Sequence, residues 1–436
     1  MWRSIRLFFW FLGAFLRKYY KVIILGLFLG ATVFFFYSCF GHLLPRPKKI
    51  TRIGLVGRYT SADLPKEILD KVSRGLVKIN LDGSLSPDLA EGWEIKDERK
   101  LYIFNLRKGL LWNDGTALKA SDLHFELKNV NVKVDDEFVL KFELKEPFSP
   151  FLALLSQPLF KKGFLGIGQY KVTSFKTSGE FIQSLRLENS NTLIYKFYPT
   201  EKAAILGFKL GEVDILENIS DPSFFEDWPN IHLMPKICQD QFVAVFYNTK
   251  DPKLANKTLR QALTYAIEKP LDKSRAIGPF NPNSWAYNNQ IKLYQYDLEK
   301  AKALLKESKI EKGEFELTTT YSQLSFAEKI KKSWEDIGIK TIVKVVSAFP
   351  EDFQVFLASQ EIPPDPDQYT LWHSTQGTNI TGYNDPKIDK LLEDGRKVLD
   401  QEERKAKYLD FQRFLVEDVP AAFLFHPTVY TVSRKG

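Results

Sequence analysis

The residues best suited to nucleophilic or metal chemistry in this 436-residue chain are five histidines (His42, His124, His232, His373, His426) and two cysteines (Cys39, Cys238). A structural or catalytic zinc site needs such side chains at short fixed separations, as in His-Glu-x-x-His or paired Cys-x-x-Cys, and here they are scattered. An activated serine would sit in a Gly-x-Ser-x-Gly elbow, and a phosphate would need a glycine-rich loop opening a helix; neither motif occurs. Two distant cysteines also exclude a disulfide framework. The chain therefore reads as a protein without catalysis, metal or cofactor. Its carboxylates, amides and aromatic rings remain as groups that bind rather than react.

Those groups must be carried by a large folded body. The length suffices for two or three domains, and 44% hydrophobic with 26% charged residues is a globular composition. The formal charge of +7 is misleading, because the first 50 residues hold eight Lys or Arg and no acid. The rest of the chain is neutral within one charge, so no basic stripe exists to track a phosphate backbone and nucleic-acid binding is not expected.

Residues 22–44, VIILGLFLGATVFFFYSCFGHLL, carry no charge and as a helix would cover a ~30 Å hydrocarbon layer. They are read as a single transmembrane anchor of the cell membrane; the resemblance described below implies that the body lies on its extracytoplasmic side. Residues 1–21, including the apolar run 5–16 with Trp2 and Trp10, are read as an interfacial or cytoplasmic segment, and residues 45–51 as a linker. Basic residues on both sides leave the charge rule nearly tied. A cleaved signal peptide is the alternative, and Ser38-Cys39 leaves lipidation at Cys39 open as another.

In the body, strand and helix signals alternate without repeats. Phe138, Leu140, Phe142 and Leu144 mark a half-buried strand at a sheet edge, closed by Pro147. Leu259, Ala262, Leu263, Ala266 and Ile267 follow helical spacing up to Pro270. Asp297 caps a helix with Leu298, Ala301, Leu304 and Leu305 on one face. Phe326, Ile330, Trp334 and Ile337 form a third stripe, ended by Gly338 and followed by a strand at 340–346. A helical pattern from 385 to 417 breaks near Asp400 and leads into a closing strand at 421–425. These patterns describe an anchored α/β protein and assign no function.

Function enters through resemblance. Asp88-Leu89-Ala90-Glu91-Gly92-Trp93, Leu106-Arg107-Lys108-Gly109 and Trp112-Asn113-Asp114-Gly115-Thr116 resemble the start of the family 5 extracellular solute-binding proteins, which include oligopeptide-, dipeptide- and nickel-binding members. Pro147-Phe148-Ser149-Pro150-Phe151, Gly166-Ile167-Gly168-Gln169-Tyr170, Gly211-Glu212-Val213-Asp214-Ile215, Phe246-Tyr247-Asn248-Thr249 and Pro364-Asp365-Pro366-Asp367 follow in the family's order. The match runs from about residue 52 to 430. Most of these motifs also have structural readings: Trp93 and Trp112 as packing residues beside an Asp-Gly turn, Arg260 as a surface or inter-lobe ion pair, Tyr247 and Trp285 as buried between layers.

The resemblance implies an α/β, two-lobed periplasmic-binding-protein-like fold (type II, cluster C) with a reduced inserted third domain, preceded by the transmembrane helix. It divides the body into lobe I (52–75, 164–238 and 410–436), a small inserted lobe (76–163) and lobe II (239–409). It implies a monomeric bacterial importer component that captures a peptide or small solute and delivers it to ABC permease subunits with their ATPases. A sensor or envelope module on the same fold is the alternative. By position, the cleft residues are Tyr59, Thr60, Glu361, Asp365, Asp367, Trp372, Gln376, Asn379 and Tyr383, with Trp372 readable equally as core. Two departures stand out. The aspartate that holds a peptide's α-amine in the family falls at Ile362 here, leaving Glu361, Asp365 or Asp367 to substitute or the ligand to lack a free amine. The stretch between Asp122 and Pro147 is also short, which implies a trimmed inserted lobe. Nickel binding is disfavoured by the absence of clustered histidines.

Overall fold

The computed structural model describes residues 2–40, 48–310 and 313–435. It divides into two compact units, Met1–Ile50 and Thr51–Gly436.

The first unit is one α-helix, Trp2–Phe40. The expected division between an interfacial segment and a separate span is therefore replaced by a continuous rod. Arg17, Lys18 and Lys21 are good helix formers, and extending an existing helix costs little, so a charged interruption does not end it. Within it, Leu12–Cys39 is long and apolar enough to cross a membrane. Residues 41–44 of the expected span and 45–47 of the expected linker lie outside the described residues.

The second unit holds two large mixed sheets and a smaller layer. The first sheet has seven strands in the order Ile231–Ile237, Thr428–Arg434, Ile215–Ile219, Ile50–Val56, Thr192–Tyr198, Phe181–Glu188, Lys171–Ser178. Its two faces bury separate clusters, one around Ile53, Ile68 and Leu187, the other around Phe208, Leu216 and Phe225. The second sheet has five strands in the order Lys340–Val346, Glu314–Thr320, Val355–Glu361, Gln241–Tyr247, Ala421–Phe425. The interior strand Gln241–Tyr247 reads FVAVFY without alternation because both its faces are covered, and Phe242 to Tyr247 are buried. Helices Lys257–Tyr265, Leu324–Glu335 and Gln401–Asp418 supply that cover.

The helix starts follow the sequence closely. Asp297, Asp385 and Asp400 each accept a backbone N–H from the first turn of the helix they open, satisfying donors that a helix cannot pair internally. The alternating strand is found at Val139–Leu144, with Leu140 and Phe142 buried. It is not an edge: it lies between Leu101–Leu106 and Val130–Asp136 in a four-stranded antiparallel layer. Alternation reports that one face is buried and says nothing of how many neighbours pair.

This smaller layer carries Trp112, buried with its indole N–H on Asp122 at 3.0 Å, and Trp93 against Phe104. It is joined to the helix Lys66–Val72 through the Gly-Ile-Gly motif: Gly168 N–H donates to Val72 O at 2.7 Å. A Cβ at Gly166 would come within 2.1 Å of that same carbonyl, so only glycine permits the approach.

Arg260 differs from its expected surface ion pair. It is 4% exposed and donates to the carbonyls of Leu254, Ala255, Asp418 and Val419, tying the helix that carries it to the end of Gln401–Asp418. Charge-assisted bonds of about 1.5–3 kcal/mol each offset the cost of burying the guanidinium. Tyr247 is fully buried as expected, its hydroxyl 3.0 Å from Thr264 Oγ1, whereas Trp285 is half-buried against Tyr408.

Candidate functional site

The chain passes between the two large sheets twice. It leaves Ile231–Ile237 and enters Gln241–Tyr247 through Cys238, Gln239 and Asp240, and it returns from Ala421–Phe425 to Thr428–Arg434 through His426 and Pro427. The return lies beyond the boundary expected at residue 409, which falls inside the helix Gln401–Asp418. That helix buries Tyr408, Phe411 and Leu415 in the core of the second sheet. The two crossings are adjacent: Cys238 N–H donates to Pro427 O at 2.8 Å. His426, 1% exposed, places Nδ1 2.6 Å from Gln241 O. Burial, together with the nearby Arg275, holds its imidazole below the ordinary histidine range.

A cavity of about 210 Å³ opens beside the first crossing. Its walls come from Asn80 and Leu81 of the hairpin Val77–Ile79/Leu85–Pro87, from Asp240, from Phe280 and Ser284, and from Ile362, Pro363, Pro364 and Pro366. A second cavity of about 350 Å³ shares Ile79 and Pro364 with it and continues to Lys66, Asp70 and Arg74 at the helix Lys66–Val72. Together they form a trough from the first sheet's helix to the second sheet. A larger cavity of about 570 Å³ lies elsewhere, lined only by residues 267–270, 296 and 326–336 of the second sheet's layer. None of the crossing residues 238–240 and 426–427 lines it.

None of the nine candidate residues is among those lining this trough. Tyr59 and Thr60 follow the strand Ile50–Val56. The Tyr59 hydroxyl donates to Val56 O at 3.1 Å and its ring meets Phe197 edge-on, while Thr60 Oγ1 donates to Asp63 at 2.8 Å. Burial raises the Tyr59 phenol above its usual range. Glu361 is exposed at the end of its strand, opposite Gln241.

Asp365 and Asp367 are engaged elsewhere. Asp365 accepts both Nη groups of Arg404, and Asp367 accepts from Arg396 Nε at 2.9 Å and pairs with its Nη2 at 2.8 Å. These carboxylates bolt the Pro-Asp-Pro-Asp segment onto the helices Pro386–Lys397 and Gln401–Asp418. Arg396 also lies 3.9 Å over the Tyr369 ring and 5.4 Å from that of Phe148, and Ser149 Oγ donates to Arg396 O at 2.9 Å. The smaller layer is thereby fastened to the second sheet as well as to the first.

Trp372 is 2% exposed and packs against Phe246 and Phe423, with its indole N–H lacking a hydrogen-bond partner among the described residues. Asn379 spends its amide on the carbonyls of Trp372, His373 and Tyr383. Tyr383 donates to Asp418 at 2.6 Å, and its phenol is raised by burial first and then by that carboxylate. Gln376 is half-buried and bonds to Thr375. The sequence reading did not single out Asn80, Asp240, Asn281 or Ser284, which do line the trough. Only the turn residues Asn80-Leu81-Asp82-Gly83 carried a local signal, and that signal announced a hairpin rather than a site.

Comparison with known proteins places this arrangement. The family model described as bacterial extracellular solute-binding proteins, family 5, middle region, matches residues 84–382. The oligopeptide-binding protein AppA of Bacillus subtilis is 24% identical, with 85% of this chain and 83% of the relative covered. The dipeptide-binding protein of Escherichia coli is 25% identical over 80% of this chain and 82% of its own. The crystal structure of NikZ from Campylobacter jejuni in complex with Ni(L-His) superposes with a TM-score of 0.72 at 23% identity, covering 89% of this chain and 95% of that one. The α/β fold is thus the cluster C periplasmic-binding-protein fold.

Proposed function

The chain belongs to the bacterial extracellular solute-binding proteins of family 5, and from that premise we propose that it captures peptides by closing its two sheet-bearing lobes around the trough at the crossings. Members of this family are non-catalytic, extracytoplasmic proteins that bind small solutes for an ABC permease, so this chain is a binding protein and not an enzyme. Ligands differ among the relatives, and we take peptides as those of this chain. The observation that carries it is the composition of the trough. Around the smaller cavity its walls are apolar or neutral amide and hydroxyl groups with Asp240 beside the crossing, and the larger cavity adds Lys78 and the paired charges Lys66–Asp70 and Arg74–Asp88. Neutral groups suit main-chain amides and carbonyls, and apolar walls suit variable side chains.

In this reading lobe I is the first sheet, lobe II the second, and the layer at 76–163 the inserted lobe. Bending is confined to residues 238–240 and 426–427. Binding energy selects the closed state, and micromolar capture requires only about 8 kcal/mol. The helix Trp2–Phe40 is retained as the membrane anchor, with the permease reached laterally. The test is mass spectrometry of small molecules released from the gently purified protein, followed by titration of tryptophan fluorescence. A mixture of short peptides supports the reading; a metal chelate or another defined solute in their place refutes it.

A further inference from the structure

The cavity of about 570 Å³ on the second sheet's layer takes no part in the capture proposed above, yet a buried cation lies in its wall. Lys269 lines it and is 7% exposed. The Lys269 amine donates to Thr264 O at 2.6 Å and to Ile267 O at 2.7 Å, where the helix Lys257–Tyr265 ends and its last carbonyls lack internal partners. Capping that helix accounts for two of the three N–H groups of an ammonium. The third has no acceptor among the described residues, and no carboxylate among them pairs with it. Burial first, and then the like charge of Arg275, pushes its pKa well below the ordinary lysine range. A cation so placed lacks the counter-charge that buried ions require, and the cavity gives one access.

The rest of the wall suits an anion with an apolar body. Phe326 and Ile330, one turn apart on the helix Leu324–Glu335, supply carbon surface together with Tyr296. Lys329 and Lys332 of the same helix add two cations that make no ion pair among the described residues, against the two acids Glu268 and Asp336. These four groups are exposed, so water and salt screen them, whereas the buried charge of Lys269 is screened far less and decides the sign of the site. We propose that this cavity is a second ligand site, separate from the trough, for a small organic oxyanion. Its carboxylate or phosphate meets Lys269, and its apolar body lies against Phe326 and Ile330.

The test titrates benzoate and phenyl phosphate calorimetrically into the full-length protein in detergent, with benzamide as the neutral counterpart of benzoate. At least one anion binds about tenfold or more tightly than benzamide, and which of the two does so separates a carboxylate ligand from a phosphate. Lys269→Met keeps most of the stem, removes the charge and brings anion and benzamide to equal affinity. A second measurement needs no variant: saturating anion slows amide exchange of the wild type in residues 264–270 and leaves the trough hairpin, residues 77–87, unchanged. Equal binding of anion and benzamide by the wild type overturns the assignment. So does an anion preference that survives in folded Lys269→Met, or protection that is absent from residues 264–270.

Discussion

At Asp365 both carboxylate oxygens are matched by Arg404, a residue 39 positions later and 7% exposed at its side chain. Removing one member of a buried pair strands the other, at a cost of about 3–5 kcal/mol. Asp365→Asn is expected to lose that much stability in urea unfolding, with the slope unchanged. Trp372→Ala belongs to the same class, because a buried aromatic wedged between Phe246 and Phe423 leaves a cavity worth about 3–5 kcal/mol. A Trp372→Ala protein of native stability but weakened peptide affinity would return this residue to the ligand. His426 gives a pH prediction. Its folded-state pKa lies below the ordinary value, so the unfolded chain takes up the proton more readily. Its contribution is present above about pH 6.5 and declines as the pH falls through that value. Arg275 and Asp240 act on the ring with opposite signs, Arg275 more strongly. The melting temperature of wild type should therefore fall from pH 7 to pH 5 more steeply than that of His426→Gln.

Among the elements, the fastening of the smaller layer to the second sheet is concentrated at Arg396, which joins Asp367, Tyr369, Phe148 and Ser149. Arg396→Met keeps the stem and deletes the charge. Because this arginine is a quarter exposed, the expected loss is about 2–3 kcal/mol, below the fully buried case. Amide exchange should quicken in residues 147–156 before it does in the first sheet. Such junctions were not legible in the sequence. The cap at Asp297 was, because a cap is a contact over three residues, and so were the helical start at Asp385 and the break near Asp400. So were the strands 340–346 and 421–425, where breaker residues and branched side chains lie side by side. The aspartates of the Pro-Asp-Pro-Asp segment looked like ligand groups because their arginines lie far along the chain. Asp240 carried no motif; its exposure to the trough depends on a hairpin at residues 80–84 reaching the second sheet, where Asp82 O accepts Trp285 N–H at 2.8 Å.

For the molecule as a whole, the anchor reading predicts an intact mass that retains residues 2–40 when the protein is extracted from membranes. A mass beginning at Cys39 with added acyl groups, or beginning after it, would replace the anchor by a lipoprotein or a secreted form. The adjacency of the two crossings has a different reach. The segment between Cys238 and Pro427 enters and leaves the first sheet within one hydrogen bond of the same point. Its ends are already together when the first sheet forms, so the loop-closure entropy of a very long insertion is met once, at the crossing. A segment with joined ends can be exchanged as a cassette. A recombinant carrying the corresponding cassette from a relative would need compatible chemistry at only those few crossing residues, and a lineage could change half of a binding surface in a single genetic event without rethreading the remainder.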